Sequence, residues 1–181
     1  MKRFTSSLLS GISTLFFASL LTVSLHAADK PSAFAELKAA KGQNVSGRLE
    51  FTETPGAVHI TGEVKHLSPG QHGIHVHQKA DLSAPDLASA GGHFNPTKEQ
   101  HGAPGAEHHH LGDFGNITAD QNGTANVDLS ISGLSLSGPN SIVGHSIIIH
   151  GGTDDLKSQP AGNSGPRVAG GVIESANSVS P

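Results

Sequence analysis

The chain contains no cysteine. That excludes disulfide bonds as a source of stability, thiolate zinc sites, and lipid attachment through an N-terminal cysteine. Basic residues are also scarce, 11 Lys and Arg against 15 Asp and Glu, with no stripe of cations suited to nucleic acid. Beyond residue 27 there is no long apolar run, no 3.6-residue periodicity and no internal repeat. Stability must therefore come from a core built of non-helical elements and from bound metal. Any such metal is held by imidazole and carboxylate, ligands that suit zinc, copper, iron or nickel rather than calcium.

The N-terminus carries Lys2 and Arg3, an apolar stretch from Leu8 to Leu25 broken by small residues, and a small-residue exit at His26-Ala27-Ala28. This is the pattern of a secretory signal peptide over residues 1–27. A membrane anchor is the competing reading, but Ser, Thr and Gly interrupt the run and no stop-transfer flank follows. Residues 28–181 are then expected to form one exported domain, periplasmic or secreted, with no membrane contact after cleavage. Removal loses two basic residues and no acidic one, taking the net charge from −4 to −6 with His neutral.

Alternating or β-branched runs occur at Ala33 to Leu37, Val45 to Phe51, Val58 to Val64, Gly73 to His77, Asp113 to Ile117, Ala125 to Ile131, His145 to His150 and Arg167 to Ile173. Turn residues separate them, as in Ser68-Pro69-Gly70 and Asp120-Gln121-Asn122-Gly123. Eight short strands predict an all-β sandwich or barrel. Lys79 to Leu111 and Gly151 to Pro166 are longer than ordinary connections, and loops of that length are commonly functional.

Thirteen histidines are the strongest bias in the composition. In His75-Val76-His77 the two rings leave one face of a strand with Cα atoms roughly 6.6 Å apart, so they can converge on one ion. Alone, such a pair is common on solvated strands. His93-x7-His101-x8-His110-x2-Asp113 supplies three nitrogens and an oxygen, a set that satisfies zinc. Its competing readings are a solvated histidine-rich loop or a loose metal-sequestering tract, which His108-His109-His110 alone would favour. His150 ends the apolar strand Ile147-Ile148-Ile149, where a lone histidine is more often packed than ligating.

The joint pattern resembles a known family. Gly73-Ile74-His75-Val76-His77, Gly92-His93-Phe94-Asn95-Pro96, His101-Gly102-Ala103-Pro104, His110-Leu111-Gly112-Asp113, Gly115-Asn116-Ile117, Leu136-Ser137-Gly138-Pro139, His150-x3-Asp154-Asp155-Leu156, Gly162-Asn163 and Arg167-x3-Gly171-Val172-Ile173 occur in the order and near the spacing of copper/zinc superoxide dismutases. The resemblance runs from about Ala33 to Ile173. It implies an immunoglobulin-like, eight-stranded antiparallel Greek-key sandwich or flattened barrel with two long functional loops, the sandwich architecture that this family shares. It implies copper on His75, His77, His93 and His150, and zinc on His93, His101, His110 and Asp113, with His93 bridging. His110, alone of the three consecutive histidines, keeps the interval to Asp113. The resemblance further implies that Asp154 hydrogen-bonds the outer nitrogens of His75 and His101, and that Arg167 attracts the superoxide anion. The implied activity is conversion of superoxide to dioxygen and hydrogen peroxide through Cu(II)/Cu(I) cycling, with His93 relaying a proton. The alternative on the same scaffold is an exported copper- and zinc-carrying module. No nucleic-acid partner is expected, and a homodimer is left open.

Two departures stand out. The family's intrasubunit disulfide would join the positions of Leu87 and Gly170, so apolar packing of Leu87 and metal binding must compensate. The loop between Asp154 and Arg167 is shorter than in the family's common cytosolic members and keeps Lys157 as its only cation before Arg167, which implies weaker electrostatic steering.

Overall fold

Period-two alternation puts one face of each outer strand on a shared core. The computed structural model describes Met1 and residues 32–176. The expected leader, apart from Met1, and the first residues of the expected domain lie outside the described residues. The strands are β1 (Ser32–Ala39), β2 (Ser46–Thr54), β3 (Ala57–Lys65), β4 (Gly70–His77), β5 (Asp113–Ala119), β6 (Ala125–Ser132), β7 (Ser146–His150), β8 (Arg167–Val172) and β9 (Glu174–Ser175). Ala33, Ala35 and Leu37 of β1, Leu49 and Phe51 of β2, Val58, Ile60 and Val64 of β3, and Ala125, Val127 and Ile131 of β6 all face the same interior. Each of the larger side chains contributes about 1.5–3 kcal/mol on burial.

All pairings are antiparallel, in the order β5-β4-β7-β8-β1-β2-β3-β6. β1 joins two sheets: Ser32 to Leu37 pair with β2, and Lys38 and Ala39 pair with Gly170 and Ala169 of β8. The outermost strands, β5 and β6, are consecutive in the chain. A turn capped by Asp120, whose Oδ1 accepts from the Asn122 and Thr124 amides, joins them and nearly closes the sheet into a barrel. The neighbours of β3 are β2 and β6, and those of β4 are β5 and β7, so the β3–β4 and β6–β7 connections cross as Greek-key links. The eight expected strands are present, with ends shifted by up to three residues. The two-residue β9, which pairs with Ala33 and Phe34 of β1, is too short to show an alternation and was not expected.

β4 and β7 are buried on both faces. Ile74, Val76, Ile147 and Ile149 fill the barrel, while His75, His77, Ile148 and His150 lie on the outer face beneath the loops 78–112 and 151–166. Ile148 joins Ala40, Leu87, Ala90 and Leu82 in a second apolar cluster. A Cβ at Gly170 would stand 2.6 Å from Ile148 Cδ1 and 3.3 Å from both Leu82 Cδ2 and Leu87 Cδ1. The positions of the missing disulfide are thus in contact: Leu87 fills the space and Gly170 leaves room for it.

Candidate metal centre

The long loop returns to β4 at both ends. Phe94 N–H donates to Val76 O (2.7 Å), Val76 N–H to Gly112 O (2.9 Å) and Gly112 N–H to Phe94 O (2.9 Å). His77 and His93 form an isolated antiparallel bridge beside this knot. A side chain at Gly112 would collide with Val76 O, which is why glycine stands there. Register shifts between Gly73 and His75 on β4 and between Ile149 and His150 on β7 re-aim the histidines, a common use of bulges beside functional sites.

His75, His77, His93 and His150 are 0–5% exposed, and each offers a ligand atom within 4.8 Å of the others. One nitrogen of each ring is already used. His75 Nε2 pairs with Asp154 Oδ2 (2.7 Å), His77 Nδ1 with Gly91 O (2.9 Å), and His150 Nδ1 with Gly165 O (3.2 Å). His93 Nδ1 faces Asp113 Oδ1 at 2.7 Å. The remaining nitrogens, His75 Nδ1 and Nε2 of His77, His93 and His150, are buried without a hydrogen-bond partner. Unpaired buried polar atoms are costly, so four of them converging fit a metal ion rather than a packed core. Burial holds His77 down to about 2, with the nearby His93 adding to it, and His150 down to about 3. Burial also lowers His93 to about 4, against the opposing pull of Asp113. All three rings are neutral near pH 7, the form that binds metal.

The second cluster shares His93. Asp113 Oδ1 lies 2.7 Å from His93 Nδ1, 3.0 Å from His101 Nδ1 and 3.2 Å from His110 Nδ1. The His101 contact is close but off hydrogen-bond geometry, and that nitrogen also lacks a hydrogen-bond partner. Asp113 Oδ2 accepts from the amides of His110 (2.8 Å) and Gly102 (3.1 Å), which fixes the carboxylate. Three nitrogens and an oxygen gathered this tightly match a closed tetrahedral donor set. Burial opposes the charge on His101, but Asp113 and Asp154 outweigh it and push the imidazole up to about 9. Burial opposes the Asp113 charge too; His101 and His110 beside it hold its carboxyl far below the usual range. His108 and His109 turn away, to Glu99 Oε2 and Ala106 O.

Asp154 ties the halves together, Oδ2 to His75 Nε2 and Oδ1 to His101 Nε2 (3.0 Å). Asn116 clamps its backbone from both sides, accepting from Asp154 N–H (2.8 Å) and donating to Asp154 O (2.9 Å). A Cβ on Gly162, whose φ is +67°, would overlap Asp154 Oδ1. The four-histidine cluster opens on a cavity of about 340 Å³ whose rim includes Gln78, Asn95, Pro160, Ala161 and Arg167. Arg167 is half-buried and donates to Leu87 O (2.5 Å) and Gly91 O (2.6 Å), so Gly91 O holds both the arginine and His77.

Residues 45–173 match the family profile of copper/zinc superoxide dismutase. The chain belongs to the copper/zinc superoxide dismutase family. Its cysteine-free sequence is accordingly that of an oxidoreductase family whose metals are copper and zinc. The extracellular Cu-Zn superoxide dismutase of Brugia pahangi is 42% identical over 151 residues, covering 78% of this chain and 75% of that protein. The Cu-Zn superoxide dismutase of Onchocerca volvulus is also 42% identical, over 144 residues, covering 74% of this chain and 90% of its own length. Among solved structures, the clock protein EA4 superposes with a TM-score of 0.74 at 38% identity, over 82% of this chain and 97% of that one.

Sequence reasoning singled out seven residues for the two clusters, and the dismutase-family fold brings them together with Asp154 and Arg167. It missed four supports. His72 is buried and bonded to His150 O (2.8 Å) and Ser68 O (2.8 Å), pinning the end of β7 to β4. Gln159 bonds the backbone of His101. Gly91 and Gly165 act through carbonyls, which no side-chain motif can mark.

Proposed function

We propose that the chain is an exported superoxide dismutase in which His75, His77, His93 and His150 hold copper and His93, His101, His110 and Asp113 hold zinc. The observation that carries this is the convergence of four buried, unpartnered imidazole nitrogens on a cavity rimmed by a fixed arginine. Copper supplies one-electron chemistry between Cu(II) and Cu(I); zinc, which has no redox chemistry, supplies a fixed charge that orders the loop.

The protein's own groups do the rest. Arg167, held rigid by two carbonyls, offers a local positive charge to a small anion that the net-negative surface repels. His93 has its Nδ1 beside Asp113 in the proposed zinc cluster and faces the cavity side with Nε2, where it can hold a proton and pass it to the reduced product. Asp154 sets the tautomers of His75 and His101. One superoxide is oxidised to dioxygen, a second is reduced, and two protons complete hydrogen peroxide.

Export is supported by the leader-like N-terminus and by the extracellular relative. Among the described residues no helix is long and apolar enough to cross a membrane. Periplasm and extracellular space are both compatible with this reading. Every proposed ligand and Arg167 come from one chain, so the proposed centre is complete within it.

The metal-carrier alternative draws on the likeness to EA4, which is described as a clock protein and not as a dismutase. A carrier, however, has no need of an arginine fixed on the wall of the histidine cavity. Superoxide decay and copper release measured on the same loaded full chain separate the two. Fast decay with slow copper release, both lost in His77→Ala, is the expected result; slow decay with ready copper transfer to a chelator would favour the carrier.

A further inference from the structure

Gln159 lies in the loop 151–166 yet reaches across to the backbone of a residue 58 positions away. Its Oε1 accepts from His101 N–H (2.9 Å), and its Nε2 donates to His101 O (2.9 Å) and to Lys157 O (3.2 Å). The side-chain amide thus pairs with the His101 peptide as a neighbouring strand would, through both a donor and an acceptor. The ring of the same histidine is held by Asp154, five residues earlier in the same loop.

The segment from Asp154 to Asn163 is tied to itself. Asp155 Oδ1 accepts from the amides of Lys157 (3.1 Å) and Ser158 (2.8 Å), and Asp155 N–H donates to Gly162 O (2.8 Å). Gly162 N–H donates to Ser158 O (2.7 Å), and Asn163 Nδ2 reaches Asp155 Oδ2 (3.2 Å) and Ser158 Oγ (3.0 Å). Whatever anchors Gln159 therefore anchors the residues after it. Pro160 and Ala161, the next two, line the cavity together with Gln78, Asn95 and Arg167.

We propose that Gln159 is a positioning residue that locks the Pro160–Ala161 wall of the anion cavity to the peptide of His101, so that the width of the cavity follows the order of the zinc half of the centre. This rests on the metal assignment above. Ser164 Oγ donates to Ala161 O (3.0 Å) from within the loop; Gln159 is the side chain that ties this stretch to the His101 peptide.

The test uses the full chain and two readouts. The first is reduction of bound Cu(II) by hexacyanoferrate(II), an anion far larger than superoxide, followed through loss of the copper absorption band. The second is hydrogen exchange over residues 158–163, read in both metal-loaded and metal-free protein. Gln159→Ala should keep its copper and zinc, yet be reduced about tenfold faster and exchange Gly162 N–H about tenfold faster, the effect of losing two paired hydrogen bonds. Gln159→Glu, which can accept from His101 N–H but cannot donate, should fall between. Zinc removal should speed reduction of the original protein and add little in Gln159→Ala, because the link is already cut. Reduction of Gln159→Ala at the original rate, or equal acceleration of both proteins on zinc removal, would overturn the proposal. So would unchanged exchange at residues 158–163. The metal-free exchange reads the clamp even if copper fails to load, so failure of the metal assignment is distinguishable from failure of this inference.

Discussion

Asp154 divides its two oxygens between His75 and His101, and that division sets its expected mutational signature. Asparagine in its place can accept from only one of the two rings, and its NH2 group would oppose the other. Asp154→Asn is therefore expected to lose about 10–100-fold in affinity for both metals, read by chelator competition; loss confined to one metal would contradict the bridging role. At this scale the sequence is informative where side chains act through their own spacing. His75 and His77 alternate on a strand, and His110 keeps a three-residue step to Asp113, so both could be found without coordinates. Asp154 could be separated from its neighbour Asp155 only through family resemblance. Gln159 could not be found at all, since its partners are backbone groups of a residue remote in the chain.

The apolar plug shows how an element is held without a covalent tie. Leu87 sits at φ 61° with its side chain among Leu82, Ala90, Ala40 and Ile148, and its carbonyl receives Arg167. Leu87→Ala should cost about 2–4 kcal/mol through the cavity it opens, measured by denaturant unfolding of the metal-free chain. It should also weaken binding of small anions at the proposed copper site, because the carbonyl that seats Arg167 loses its anchor. Thiol reductants, by contrast, should leave unfolding of the metal-free original protein unchanged, for there is no cysteine to reduce. Strand positions were legible because one buried face forces a period of two, and the glycine- and proline-rich breaks set their ends to within three residues. The conformations of the loops 78–112 and 151–166 were not, because carbonyls and ring nitrogens far apart in the chain determine them.

Over the whole molecule the charge balance is unfavourable to the proposed substrate, at −4 for the full chain. Apart from its histidines, the cavity lining carries one charged side chain, Arg167. Superoxide turnover should therefore fall with added salt as that local attraction is screened, by no more than about threefold between roughly 0.01 and 0.2 M ionic strength. In Arg167→Ile only the net repulsion remains, and the residual rate should rise with salt. A falling rate in that variant would show steering by other cations.

His93, shared by both clusters, is what makes them two halves of one centre. Calorimetric titration of copper and zinc into the metal-free chain, with His93→Ala, His77→Ala and His110→Ala beside it, tests that directly. The original protein should bind one of each; His77→Ala should weaken copper alone and His110→Ala zinc alone, whereas His93→Ala should weaken both by more than about tenfold. If His93→Ala impairs only one metal, the two clusters are separate sites and the shared-ligand centre is contradicted.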